Sequence, residues 1–139
     1  MNAFGQPGYG ITRSLPAMDH DAAIEQVTAA LKEQGFGVLT TIDMTGTLQA
    51  KIGVDLGLRY TILGACNPPM AHAAIQADAA IGLLLPCNVV VTEEADGSTV
   101  VSAIDPAKMF TVVDNPAMGP VVTEVTQRLT AALESLPSA

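Results

Sequence analysis

The sequence contains no tryptophan, and aromatic residues make up only 4% of its 139 positions. Charged residues are also scarce, at 14% against about 25% in an average globular protein. Alanine, valine, leucine and isoleucine must therefore fill the core, and hydrophobic residues reach 49% of the chain. A chain of this size buries roughly 68–70% of its unfolded surface, so we expect it to fold without disulfides or a structural metal.

Positive charge is equally sparse, because six basic residues stand against fourteen acidic ones and the net charge is −8. Nucleic acids and anionic membrane surfaces attract clustered lysine and arginine. Here the basic residues are scattered singly, so the sequence predicts neither a nucleic-acid partner nor a membrane partner. They are Arg13, Lys32, Lys51, Arg59, Lys108 and Arg128.

The chain also lacks any apolar run of about 18 residues that could span a bilayer. Residues 1–10 have neither the basic start nor the apolar segment of a secretory signal. We therefore expect a cytoplasmic protein, and in that reducing compartment the two cysteines should be free thiols. They lie 21 positions apart, which is not the spacing of a zinc or thioredoxin motif.

Residues 1–8 contain two glycines and a proline without periodicity, so we predict a flexible N-terminal arm followed by a single domain over 9–139. Polar caps followed by 3–4 spacing of apolar residues predict helices, and β-branched runs predict strands. The predicted helices cover 20–34, 44–52, 68–77, 106–112 and 116–136. The predicted strands cover 9–13, 36–43, 58–65, 80–94 with a bulge or break at Pro86, and 98–104.

Four segments, taken in order, resemble the bacterial domain-of-unknown-function family 302 over residues 9–136. The segments are Gly35 to Leu39 followed by Ile42-Asp43, ILGACNPPMAH (62–72), IGLLLPCNVVV (81–91) and SAIDPAKM (102–109). The resemblance implies an α+β fold like that of the TATA-binding protein, with a curved, largely antiparallel sheet and helices packed on one face. It also implies a homodimer. It implies no common biochemical activity, and a fold name by itself carries no function.

The residues that could carry chemistry are concentrated in two Cys-Asn dipeptides. Cys66 directly precedes Asn67, the predicted N-cap of a helix, and a thiolate is stabilised near the positive end of a helix. The alternative interpretation is that Cys66 is a small apolar residue buried where a strand turns into a helix. For Cys87, strand alternation predicts a position on the core face, unless Pro86 interrupts the register.

An antiparallel arrangement could bring the two cysteines and His72 to one end of the sheet. Two thiols and an imidazole would offer three ligands, enough for copper(I) or an incomplete zinc site. The same pair would suit thiol–disulfide or sulfur-transfer chemistry. Asn67 and Asn88 have a structural interpretation, because asparagine caps helices and satisfies backbone groups in turns.

These residues support two hypotheses about function. The first is a dimeric small-ligand-binding or regulatory module, whose ligand-binding residues are Cys66, Asn67, His72, Cys87 and Asn88. The second is a thiol-based metal-binding or redox protein that uses Cys66 and Cys87 directly. Since the sequence shows no Ser-His-Asp set, phosphate loop or paired catalytic carboxylates, we favour a binding module over an enzyme.

Overall fold

The computed structural model describes residues 2–138 and contains one five-stranded antiparallel sheet in the order β1-β5-β4-β3-β2. The helices lie on one side of the sheet, which confirms the predicted α+β class. The strands are β1 (Gly10–Leu15), β2 (Gly37–Asp43), β3 (Tyr60–Cys66), β4 (Cys87–Glu93) and β5 (Thr99–Ile104). The helices are α1 (His20–Glu33), α2 (Met44–Ile52), α3 (Pro68–Ala77), α4 (Pro106–Met109) and α5 (Gly119–Glu134).

The core lies between the sheet and the two long helices. In α1, the Asp19 side chain accepts a hydrogen bond from the backbone of Ala22, as an N-cap should, and the helix buries its predicted apolar stripe. In α5, a second apolar stripe faces the same core. The buried side chains of the two stripes are Ala23, Val27 and Leu31 in α1 and Val125, Leu129, Ala132 and Leu133 in α5.

A tight turn joins β4 to β5, as the Asp96-Gly97 dipeptide predicts. Gly97 has a φ of +87°, a left-handed conformation that glycine adopts without steric cost. The Glu94 amide donates to the Ser98 carbonyl at 2.8 Å and closes the hairpin. This hairpin sets the register that places Val91 opposite Val101 in the core.

One predicted element is wrong in its first half. The sequence predicts a strand over 80–94, but Ala79–Leu84 forms a 3₁₀ helix and β4 begins only at Cys87. Asp78 begins the helical turn, since its side chain accepts from the Ala80 amide at 3.0 Å and caps it. Ile81 then packs into a small second core with Ala74, Phe110 and Met118. A short apolar run fits a buried helical turn as well as a strand.

The remaining boundaries differ only slightly from the prediction. The last helix is preceded by a 3₁₀ turn over Pro116–Met118, and α4 is followed by another over Phe110–Val112. Residues 2–8 form no helix or strand, but Phe4 is half-buried and its amide donates to Glu94 Oε1 at 3.0 Å. Over the described positions, every helix is too short or too polar to cross a membrane.

Candidate functional site

A cavity of about 330 Å³ lies where the C-terminal end of β3 and the N-terminal end of β4 meet α3 and α5. The residues of α3 that border the cavity follow one another at the 3–4 spacing of a single helical face. Aliphatic and aromatic side chains from distant segments close the remaining walls. The lining consists of Phe36, Leu39, Ala65, Cys66, Asn67, Met70, Ala71, Ala74, Ile75, Gly82, Leu85, Pro86, Cys87, Phe110, Val121 and Val125.

Both cysteines border this cavity. We call the end of the β3–β4 pair that contains Cys66 and Cys87 the thiol end. Cys66 is the last residue of β3 and Cys87 the first residue of β4, and the strands pair so that Ala65 lies opposite Cys87. Strand spacing then places the two cysteine α-carbons about 6 Å apart. Both thiols are free, with Cys66 half-buried and Cys87 buried. Both cysteines therefore border one cavity as free thiols, and their role as a functional site stays a prediction.

Burial raises the pKa of the Cys87 thiol to about 11, and the neighbouring Cys66 raises it further. The cause is desolvation, since an apolar surrounding disfavours a thiolate. Cys87 is therefore a neutral thiol at physiological pH. It also lies on the core face with Val89 and Val91, as strand alternation predicts.

Asn67 borders the cavity but directs its polar atoms into the backbone. Its Oδ1 accepts from the Met70 amide at 3.2 Å as the N-cap of α3, and its Nδ2 donates to the Gln34 carbonyl at 3.5 Å. The side chain is buried, at 7% exposure. Both the oxygen and the nitrogen of the Asn67 side chain are hydrogen-bonded to the backbone, so this amide stabilises the wall of the cavity. The thiols are the remaining polar side-chain groups in the lining.

Asn88 and His72 do not join the other three predicted residues. Because Cys87 faces the core, alternation turns Asn88 to the opposite side of the sheet, where it is exposed beside Phe4 and Tyr60. His72 lies on the outer side of α3, exposed, with its Nε2 3.4 Å from Gln76 Nε2. The predicted five-residue site is thus corrected to a three-residue group.

The three-ligand metal site proposed from the sequence is not formed. Throughout residues 2–138, no three histidine, cysteine, aspartate or glutamate side chains come together in a way that could hold a metal ion. The reason is helical geometry, because α3 turns Met70, Ala71 and Ala74 towards the cavity and leaves His72 outside. Two sulfurs alone do not supply the four ligands typical of zinc.

The cavity-lining residues of α3 could have been found from the sequence. With Asn67 as the N-cap, Met70, Ala71, Ala74 and Ile75 follow at the spacing of one helical face. By contrast, Phe36, Phe110 and Val121 reach the cavity from segments far apart in the chain. No local pattern indicates that these segments meet.

The other end of the same two strands carries a different polar group, which we call the histidine end: His20, Arg59 and Thr61. His20 is 4% exposed, and its Nε2 lies 2.9 Å from Thr61 Oγ1. Burial lowers the pKa of His20, and the nearby Arg59 cation lowers it further. Arg59 forms an ion pair of 3.1 Å with Asp21 at the surface.

Comparison with known protein families gives a match over most of the chain. The family described as "Domain of unknown function DUF302" matches residues 11–136. The chain belongs to the DUF302 family. No curated protein sequence matches it.

A solved structure supports the assignment. The crystal structure of the uncharacterized conserved protein DUF302 from Bacillus stearothermophilus is 30% identical, with a TM-score of 0.83. The match covers 92% of this chain and 98% of the other. The DUF302 fold is therefore shared over nearly the whole domain, and the resemblance noted in the sequence is confirmed.

Proposed function

We propose that this DUF302 protein binds a small, uncharged, apolar ligand in the cavity at the thiol end. The observation that carries the proposal is the composition of the lining, in which the two cysteines are the only side chains that can ionise. A charged ligand would lose its hydration there without gaining a partner of opposite charge. An apolar ligand would remove both its own surface and that of the cavity from water.

The cavity volume limits the size of the ligand. Ligand-binding pockets in proteins usually span roughly 300–1,000 Å³, and this cavity of about 330 Å³ is at the lower end of that range. An engineered apolar cavity of about 150 Å³ holds one benzene molecule. The cavity therefore suits a molecule of about two such rings.

Binding of an uncharged naphthalene derivative that fluoresces in apolar surroundings tests this proposal. We expect saturable fluorescence enhancement with the parent protein. The variant Ala71→Phe, which fills part of the cavity, should weaken binding by about tenfold. Ala73→Phe is the matched control, since Ala73 is exposed on the same helix. Equal binding by both variants and the parent would show that the probe does not enter the cavity.

We also propose that the protein is a homodimer that pairs through α2. α2 buries none of its nine residues, although Met44, Leu48 and Ile52 form one apolar stripe at i, i+4 spacing. Two copies of α2 packed antiparallel about Leu48 would cover this stripe. The same packing would bring Lys51 of one copy towards Asp43 of the other. The low charged share of 14% also favours a covered surface.

Light scattering at micromolar concentration tests the dimer. The parent should have twice the monomer mass, and Leu48→Glu should have the monomer mass because the carboxylate would be buried in the interface. Gln49→Glu adds the same charge to the neighbouring exposed position and should remain dimeric. A monomeric parent would refute the proposal.

Thiol chemistry is the second candidate function, and the observation that favours it is that Cys66 and Cys87 border one cavity. A reducing compartment such as the cytoplasm would keep both thiols free. Because the cavity offers two thiols and no third metal ligand in its lining, oxidation and reduction suit the pair better than zinc coordination. Counting free thiols before and after mild oxidation tests this candidate, and it fails if Cys66 and Cys87 stay reduced.

A further inference from the structure

Residues 2–9 pack beside the face of the sheet opposite α1 and α5. The Phe4 amide donates to Glu94 Oε1 at 3.0 Å, and the Tyr9 carbonyl accepts from the Asp105 amide at 2.8 Å. These hydrogen bonds hold the segment near its two ends. Between the segment and the sheet lies a second cavity, with a volume of about 230 Å³.

Phe4, Tyr9 and Tyr60 all border this second cavity, and we call it the aromatic cavity. The chain contains three phenylalanines, two tyrosines and no tryptophan, so most of its aromatic side chains meet here. Phe4 and Tyr9 precede β1, whereas Tyr60 begins β3. Thr61 is buried against His20 on the core face, so strand alternation turns Tyr60 to the opposite face. Rings from separate segments around one cavity are typical of sites that bind organic cations through the negative faces of the rings.

The charges near the aromatic cavity favour a cation over an anion. Among the described residues, none that lines it is a lysine, an arginine or a histidine. The Glu94 carboxylate is held beside Phe4 by its hydrogen bond to the Phe4 amide. At longer range, the net charge of −8 attracts cations. An anion would meet the negative ring faces without a basic partner.

A methylated ammonium group suits this lining better than a primary ammonium group. A primary ammonium has three N–H donors, and burying them without acceptors is costly. A quaternary ammonium has no N–H donor. Its methyl groups can pack against the three rings and against Val90 and Ile104, which also border the cavity.

The volume of the aromatic cavity agrees with such a head group and a short tail. An engineered cavity of about 150 Å³ holds benzene, and a trimethylammonium group has fewer heavy atoms than benzene. The volume of about 230 Å³ therefore leaves room for a short chain. Asn88 borders the cavity and is exposed, so its amide can donate to or accept from a hydroxyl group on that chain.

We propose that the aromatic cavity binds a small organic cation with a methylated ammonium group and a short polar tail, of which choline is the simplest example. The site lies on the opposite face of the sheet from Cys87 and the core, so it does not depend on the ligand proposed for the thiol end. Phe4 and Tyr9 supply two of its three rings, and binding therefore requires the N-terminal segment to stay beside the sheet.

Calorimetric titration of the full-length protein compares choline with its neutral carbon isostere, in which a tert-butyl group replaces the trimethylammonium group. The two molecules have nearly the same shape and differ in charge. We expect choline to bind about tenfold more tightly, because only the cation is attracted by the ring faces. Equal affinity for the two molecules, or no saturable binding of choline, would overturn the proposal.

Variants of the rings test where choline binds. Tyr60→Leu removes one ring and should weaken choline binding about tenfold, whereas Tyr60→Phe, the matched control, keeps the ring and should bind within about twofold of the parent. Phe4→Leu, which lies outside the sheet, should weaken binding in the same direction as Tyr60→Leu. Circular dichroism establishes that each variant is folded.

Two results with these variants would contradict the proposal. Parent-like binding by both Tyr60→Leu and Phe4→Leu would place choline elsewhere, and an equal loss in Tyr60→Phe and Tyr60→Leu would show that the ring is not what binds it. Choline should also leave the naphthalene probe bound at the thiol end. Displacement of the probe by choline would mean that the cation enters the other cavity, and would refute the assignment to this one.

Discussion

The two ends of the β3–β4 pair each contain a buried titratable group, and they differ in the space beside that group. Because the strands are antiparallel, Cys66 and Cys87 lie together at the thiol end, while Thr61 approaches His20 at the histidine end. Burial favours the neutral form at both ends, since it raises the pKa of Cys87 and lowers that of His20. The surroundings of these two groups thus disfavour a charge at either end of the strand pair.

What separates the two ends is the space beside the buried group. At the histidine end, one ring nitrogen meets the Thr61 hydroxyl and the charges of Arg59 and Asp21 pair at the surface. At the thiol end, the sulfurs border a cavity that has room for a ligand. A buried, neutral group becomes available for chemistry only where a cavity reaches it, and this is why the proposed ligand is placed at the thiol end.

The largest effect is expected from alkaline pH at the thiol end. The folded protein raises the pKa of Cys87 from 9.0 to about 11, so its neutral thiol stabilises the fold below pH 9. That contribution is lost as the pH rises towards 11, and the full loss is about 3 kcal/mol.

Urea unfolding of the parent and Cys87→Ala at pH 8 and pH 10.5 measures this contribution. The free energy of unfolding of the parent should fall more than that of the variant between the two values. Lysine and tyrosine titrate in both proteins and cancel in the difference. Parallel losses would show that Cys87 is not held neutral by the fold, and would remove the contrast between the two ends.

A smaller effect is expected from the asparagines that follow the two cysteines. Asn67→Ala removes the N-cap of α3 and leaves the Met70 amide without its partner, which should cost about 1 kcal/mol. Asn88→Ala, the matched change at an exposed position, should alter stability by about 0.5 kcal/mol or less. Equal losses in thermal or urea unfolding would mean that the two Cys-Asn dipeptides play the same structural part.

These dipeptides also show how far the sequence predicts the site. The helix start at Asn67-Pro68 is a local signal, and the prediction of α3 is confirmed. The orientation of Asn88 follows from alternation once Cys87 is placed on the core face, so the sequence contained that information as well. The prediction that His72 joins the site is wrong, because Met70, Ala71 and Ala74 form the helical face that borders the cavity and His72 lies outside that face.

The cavity itself lay beyond prediction because it depends on contacts between distant segments. Phe36 follows α1, Phe110 follows α4 and Val121 belongs to α5, and only the packing of α3 and α5 beside the sheet brings them together. The 3₁₀ helix over Ala79–Leu84 had the same origin. Its apolar residues fit a strand equally well, and the packing of Ile81 against Phe110 decides the outcome.

The smallest effect is expected from mild acid at the histidine end. Since the pKa of His20 is lowered in the folded protein by burial and by Arg59, the unfolded chain takes up a proton more readily than the native state does. The contribution of neutral His20 is therefore fully present above pH 6.5 and is lost as the pH falls below that value. Nearby carboxylates act in the opposite direction and raise the pKa of His20; they belong to Glu93, Asp21 and Asp43.

Unfolding of the parent and His20→Gln between pH 7.5 and pH 5 isolates this contribution. The free energy of unfolding of the parent should decrease more steeply than that of the variant, because glutamine has no proton to gain. Arg59→Gln removes the cation that opposes protonation of His20 and should make the slope shallower than in the parent. A parent that gains stability as the pH falls through 6.5 would mean that His20 is charged in the fold. The two ends would then no longer share the exclusion of charge, and only the thiol end would keep its buried group neutral.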